Sequence, residues 1–400
     1  MKQFIREHRE DDVRQLALQA GRYPDVDMPY ALTQIAGWQS IREKVPTWAA
    51  CEDIIYPQHL PLEQCSSEAT AIYKYGVVTA SGQTDSFIDL TGGFGIDFWF
   101  ISRAFKQAVY VERQEVLAKI AEHNFLILLK ENPIANCELS FVNSDSISWI
   151  KQQNNPVDWI FIDPARRDGH GGKTVAISDC EPDICELETL LVSKATHVMV
   201  KLSPMLDLSL AMGQLKHIQE AHIISVDNEC KELLLILNAD TETQPGATPI
   251  HCINIRKDHA ETFSFTKQVE VTASCRMASG IGQYLYEPNA SIMKAGAFRS
   301  MTERFKFAKL QANSHLYTSD ELITDFPGRT FAVEAASGFG KKELKVFLAD
   351  TPKANLSVRN FPASVADLRK RLHITEGGDS YLFATTLHPQ EKVIIKCRKI

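Results

Sequence analysis

Between residues 86 and 237 the chain repeats one rhythm. Short apolar, β-branched runs recur at SFIDL (86–90), AVYVE (108–112), ELSFV (138–142), DWIFID (158–163), HVMVKL (197–202), AHIISV (221–226) and ELLLIL (232–237). Helical stretches separate the first six. In RQEVLAKIAEHNFLILLK (113–130), for example, apolar residues return at helical spacing. Strands that alternate with helices predict a parallel sheet covered on both faces, a doubly wound α/β fold. The last two runs are joined only by DNECK. That is too short for a crossover, so an antiparallel hairpin is expected there.

A chain of 400 residues exceeds one hydrophobic core, so this sheet has company. Residues 1–80 read as helical, broken at Pro46, Pro57 and Pro61, with EQCSSEATAIYKYGVV (63–78) as a longer helix. The α/β domain is expected over 81–243, with TETQPGATP (241–249) as a linker. A small α+β, ferredoxin-like region follows over 250–329. In it VEVTA (269–273) reads as a strand, NASIMKAGAF (289–298) as a helix and DFPGR (325–329) as a break. A last α+β unit covers 330–400: RTFAVEAA, a basic helix from SVADLRKRL (364–372), then SYLFATTL and EKVIIKCRK.

Composition narrows the setting. The charged start MKQFIREHREDDVRQL lacks an apolar signal core, and runs such as ELLLIL are too short to span a bilayer. Nine cysteines without a CxxC pair fit scattered thiols in a cytoplasmic protein rather than a disulfide frame or a metal site; the nearest pair is Cys180 and Cys185. The net charge of −7 is uneven, since residues 341–400 hold twelve Lys/Arg against six Asp/Glu. A basic end on an acidic body suits a phosphate-backbone partner, and equally an ordinary solvated domain.

The first strand runs into FIDLTGGFGIDF (87–98). Thr91, Gly92, Gly93, Phe94 and Gly95 form a turn whose glycines let backbone approach a ligand, with a helix N-terminus behind it. Glu112 closes the second strand, 23 residues after Asp89, where an acid can bond both hydroxyls of a ribose. A dinucleotide fingerprint needs a third glycine where Phe98 stands, which argues against a dehydrogenase. S-adenosylmethionine fits better: Asp89, ahead of the loop, can meet its ammonium group. Asp145 in VNSDS suits either the adenine amino group or a helix N-cap before SISWI.

DLTGGFG, VERQ, NSD and IDPARRD, in this order, resemble class I S-adenosylmethionine-dependent methyltransferases. More narrowly, the chain resembles the bacterial group with a C-terminal THUMP-like domain, through EQCSSEATAIYK, YEPNASIMKAG, HLYTSDELITDFPGR and RNFPASVADLRKRLHITEGGDSYLFATTL. The resemblance implies a Rossmann-like sheet, S-adenosyl-L-methionine as cofactor, methyl transfer with RNA as the acceptor, and an RNA-binding role for the last domain. It also implies that Glu63, Gln64, Ser66, Ser67 and Glu68 fold near the cofactor, where Ser67 would contact the methionine carboxylate; a helix-capping box explains the same residues.

In this fold IFIDPARRDGHGG (160–172) ends the fourth strand beside the methyl group. Asp163 is then the acid for an acceptor N–H, and Pro164 stiffens the exit. Lys201 pairs with Asp163 or meets a phosphate. Arg166 or Arg167 pins a phosphate, stacks on a base, or only pairs with Asp158 or Asp168; His170 sits in the glycine-rich loop. DPAR also resembles RNA uridine C5-methyltransferases, which attack with a cysteine after strand five. Here that stretch reads VKLSPML (200–206) and has none, which points to a base nitrogen instead. The competing readings are a protein or small-molecule methyltransferase and a non-catalytic RNA-binding module retaining the fold.

Overall fold

The computed structural model describes residues 1–400 except 135–136, 167–175, 243 and 245, and except the side chains of 59–61 and 166. The expectations for Arg167, Asp168 and His170 lie outside the described residues, as does the side chain of Arg166. Two compact units are present: Met1–Gln219 with Leu233–Thr243, and Glu220–Glu232 with Gln244–Ile400.

In the first unit the expected strands form β1 (Ser86–Asp89), β2 (Gln107–Glu112), β3 (Glu138–Asn143), β4 (Val157–Ile162) and β5 (Ala195–Leu202). They pair in parallel in the order β5-β4-β1-β2-β3. Residues 233–238 add an antiparallel strand beside β5. The core face of helix Glu115–Glu131 carries Leu117, Ala118, Ala121, Phe125 and Leu128, the spacing of one helical stripe. Strand order reverses at β1: the chain moves to β2 and β3 on one side and to β4 and β5 on the other. Such a reversal leaves a crevice at the carboxyl ends of β1 and β4, where open α/β sheets bind ligands.

In the second unit residues 220–226 turn back through Asp227 and Asn228, both at positive φ, into 229–232. This two-residue turn makes the expected hairpin tighter than DNECK suggested. Strand Pro249–Ile255 pairs in parallel with residues 221–226 and antiparallel with Ala260–Thr266. VEVTA departs from expectation: Lys267–Thr272 is a helix. The Thr266 hydroxyl caps it by accepting the Val269 N–H. The Glu270 carboxylate accepts the N–H groups of Phe298, Arg299 and Ser300. These tertiary bonds outweigh the β preference of two valines, both of which face solvent.

One seven-stranded sheet runs from Tyr284 to Lys399, and strand Gly328–Gly338 pairs with both Tyr284–Pro288 and Glu391–Lys399. Alternation along Ser380–Leu387 sends Phe383 to one face, with Phe331 and Ile395, and Leu382 to the other, with Leu344 and Leu368. Helices Lys341–Phe347 and Val365–Leu372 supply those last two leucines.

Candidate cofactor and acceptor site

The loop after β1 is shaped by rings and acids. A Cβ on Gly92 would lie 2.2 Å from the Tyr110 ring, and one on Gly95 would lie 2.4 Å from Phe125. Gly95 also sits at φ +92, where only glycine is comfortable. Phe98, in place of a third glycine, is fully buried against Phe87, Tyr110, Phe125 and Phe141. Helix and strand are therefore held apart by an aromatic layer rather than brought into close contact.

Glu112 lies at the end of β2 as expected. One of its oxygens accepts the Gly93 N–H at 2.9 Å and the other the Gln114 N–H at 2.7 Å. The Tyr110 hydroxyl donates to the Gly93 carbonyl at 2.5 Å. Asp89 is buried and accepts the Thr91 N–H at 2.9 Å. Burial pushes its carboxyl well above the usual range; the Thr91 bond opposes this, and Asp97 and Asp163 add to it.

These residues face a cleft of about 1310 Å³, lined among others by Asp89, Thr91 to Gly95, Glu112, Asp145, Asp163 and Lys201. From the N-terminal segment Tyr30, Gln34, Tyr56, Gln64 and Ser66 line it too. Phe94 is buried edge-on to Trp48. Asp145 sits in the cleft and caps helix Ser146–Gln152, accepting the Ser148 N–H at 2.8 Å, a bond that also holds its carboxyl below the usual range. Ser67 caps helix Glu68–Ala80 through the Thr70 N–H; its neighbour Ser66, not Ser67, lines the cleft. Pro164 is buried and is not among the lining residues, whereas Ala165 is. The backbone of Ala165–Arg166 pairs with Cys180–Glu181. Cys65 also lines the cleft. Burial pushes its thiol up, and the thiol donates to the Leu62 carbonyl, the state of an inert cysteine rather than a nucleophile.

The sequence reading missed a buried charge chain beside this cleft. Lys201 pairs with Asp163 at 2.5 Å, the first of its two expected partners, and also reaches Asp97 at 3.4 Å and the Ser66 hydroxyl at 3.2 Å. Asp97 takes a 2.7 Å bond from Lys74, which is fully buried, and another from Ser66. Burial alone would raise the Asp97 carboxyl; Lys74 and Lys201 outweigh it and hold it low. Asp163, a third exposed, is raised by burial, with Lys201 opposing. One signal was available: a single acid inside the apolar helix IDFWFI is untenable without a buried cation.

A family model described as a ferredoxin-like domain matches residues 284–327, and one described as THUMP domain-like matches residues 328–399. The crystal structure of a candidate methyltransferase from Porphyromonas gingivalis W83 is 33% identical, over 100% of this chain and 97% of that one, with a TM-score of 0.88. The chain belongs to this methyltransferase family. It is a class I S-adenosylmethionine-dependent methyltransferase of the group with a C-terminal THUMP-like domain. The candidate methyltransferase yhhF of Escherichia coli is similar at 16% identity over 44% of this chain and 88% of that one, TM-score 0.31. TrmK of M. capricolum, in complex with S-adenosylhomocysteine, is similar at 13% identity over 43% and 70%, TM-score 0.31. No curated protein matches the chain.

S-adenosylmethionine is the cofactor that the resemblance implies, and the residues fit it. The buried Asp89 carboxylate lacks a close cationic partner among the hydrogen bonds of the described residues, and Tyr56, a residue of the cleft wall, has a buried hydroxyl with no hydrogen-bond partner among them. Both are groups that an amino-acid moiety would satisfy. Among the described residues no helix is long and apolar enough to cross a membrane.

Proposed function

We propose that this methyltransferase acts on a base nitrogen of RNA, tRNA or rRNA, and that its C-terminal THUMP-like domain binds that RNA. The observation that carries the acceptor reading is Asp163. Its carboxylate stands partly exposed at the carboxyl end of β4, in the same cleft as the glycine loop. The cofactor supplies a methyl group on a sulfonium, open to in-line displacement. Asp89 holds the methionine ammonium, Glu112 the ribose hydroxyls and Asp145 the adenine amine, while the loop from Thr91 to Gly95 lets the cofactor approach backbone. Asp163 accepts a hydrogen bond from the acceptor N–H, orients its lone pair toward the methyl group and receives the proton. Lys201 keeps that carboxylate in place. Pro164 stiffens the strand exit from inside, and Arg166 is read from the sequence alone as a contact for the RNA.

The acceptor is read as RNA from the THUMP-like match and the basic balance of residues 341–400. The cleft itself is acidic, which admits a base with N–H donors and keeps phosphates outside. Tritiated methyl transfer into total RNA tests this: label is expected with the native protein and lost with Asp163→Ala. Label in protein instead would move the acceptor to another class. Mass spectrometry of nucleosides from cells with and without the protein then names the base.

A further inference from the structure

Lys74, Asp97, Lys201 and Asp163 alternate in sign along one hydrogen-bonded line. It begins at a fully buried ammonium on helix Glu68–Ala80 and ends at the partly exposed carboxylate in the cleft. Ser66 sits at its centre, donating to Asp97 and accepting from both lysines at 3.0 and 3.2 Å. Three protons of the Lys201 ammonium are thus matched by Asp163, Asp97 and Ser66, so Lys201 is engaged by protein rather than directed at substrate. A lysine bound to Asp163 alone would neutralise it and weaken it as a proton acceptor. Asp97 shares that ammonium, and Lys74 keeps Asp97 ionised.

We propose that Asp97 and Lys74 are positioning residues: they fix Lys201 against Asp163 and divide its charge, so that Asp163 stays basic enough to take the acceptor proton. This rests on the reading of Asp163 as the acceptor-side carboxylate. Among the described residues, the charged groups facing Asp163 are Lys201 from β5, Asp97 from helix Ile96–Ile101, Lys74 from helix Glu68–Ala80 and Asp89 from β1. Ser66 and Lys74 both come from the N-terminal segment, which makes that segment part of the acceptor machinery.

The test removes the pair as a unit, Asp97→Asn with Lys74→Met, so that no buried charge is orphaned. Carbon-13 carboxyl NMR follows Asp163, its resonance assigned by loss in Asp163→Asn. The Asp163 midpoint should fall in the double variant, because Asp97, which raises it, weighs more than Lys74, which lowers it. The acid limb of methyl transfer to total RNA should move down with it, read at saturating cofactor because Asp97 also bears on Asp89. If the double variant does not fold, Asp97→Asn with Lys74→Gln serves, since the two carboxamides keep a hydrogen bond and leave no buried charge, and Asp97→Glu, which keeps the charge, should hold the native profile. Label in RNA with an unmoved midpoint and limb overturns this inference alone. No label with the native protein brings down the acceptor reading and the inference together.

Discussion

The backbone N–H of Asp163 donates to the Thr91 hydroxyl at 2.7 Å. Thr91 belongs to the loop after β1 and Asp163 to the exit of β4, so this bond spans the point where strand order reverses. It ties the glycine-loop side of the cleft to the β4 side. Thr91→Val keeps the shape and removes the acceptor. Stability should fall by about 1–3 kcal/mol, the cost of an unpaired N–H. Methyl transfer should fall more than binding of S-adenosylhomocysteine, a separation that kinetics and titration calorimetry would show.

Gly92→Ala places a methyl group 2.2 Å from the Tyr110 ring, which is buried and cannot move aside. Overpacking of this kind costs about 1–3 kcal/mol, readable in a denaturant melt. Because the loop itself shifts, affinity for S-adenosylhomocysteine should drop at least about tenfold, or roughly 1.4 kcal/mol.

Glu112 organises the loop through the Gly93 and Gln114 N–H groups as well as facing the cleft. Glu112→Gln keeps its shape but sets an amide N–H against one of those donors. Loss of a charge-assisted bond of about 1.5–3 kcal/mol should raise the Kd for S-adenosylhomocysteine about tenfold or more. A circular dichroism spectrum like that of the native protein would place the defect in the site.

Asp89 carries a pH prediction. Its carboxyl titrates higher in the folded chain than in the unfolded one, chiefly through burial. Between those two values the folded state holds the extra proton, so this group's contribution to stability falls as pH rises. The methionine ammonium needs the ionised form. Affinity for S-adenosylhomocysteine should therefore increase with pH across that window, with proton release visible as buffer-dependent heat in calorimetry. Asp89→Asn should weaken binding and flatten its pH dependence. A slope that persists in the variant would assign the proton to another group.

Lys74→Met alone leaves Asp97 buried with half its compensation. Breaking a buried pair from one side costs about 3–5 kcal/mol. The charge-balanced double substitution should cost less than Lys74→Met by itself, and a double-mutant cycle in urea would measure the difference.

Residues whose place follows from position along a strand were legible. Asp89 and Glu112 end neighbouring parallel strands, and the strand–helix rhythm alone puts both at one edge of the sheet. Asp145 carried two readings, and the structure shows the cap in place at the cleft wall. The hydroxyl facing the cleft came out one residue from the expected one: as an N-cap, Ser67 points its oxygen along its own helix axis and leaves Ser66 toward the cleft. VEVTA misled because its fate depends on Glu270 reaching residues 298–300.

The sequence by itself determined the doubly wound sheet, the glycine turn and the acids flanking it, because strand alternation, glycine geometry and strand-end acids are local and periodic. Only the tertiary structure decided how Asp163 is held. Lys74, Asp97 and Lys201 are distant in sequence, with Lys201 lying 104 positions beyond Asp97. A buried charge is tolerated only where folding brings its counter-charge within hydrogen-bond reach, and no pattern along the chain records that meeting.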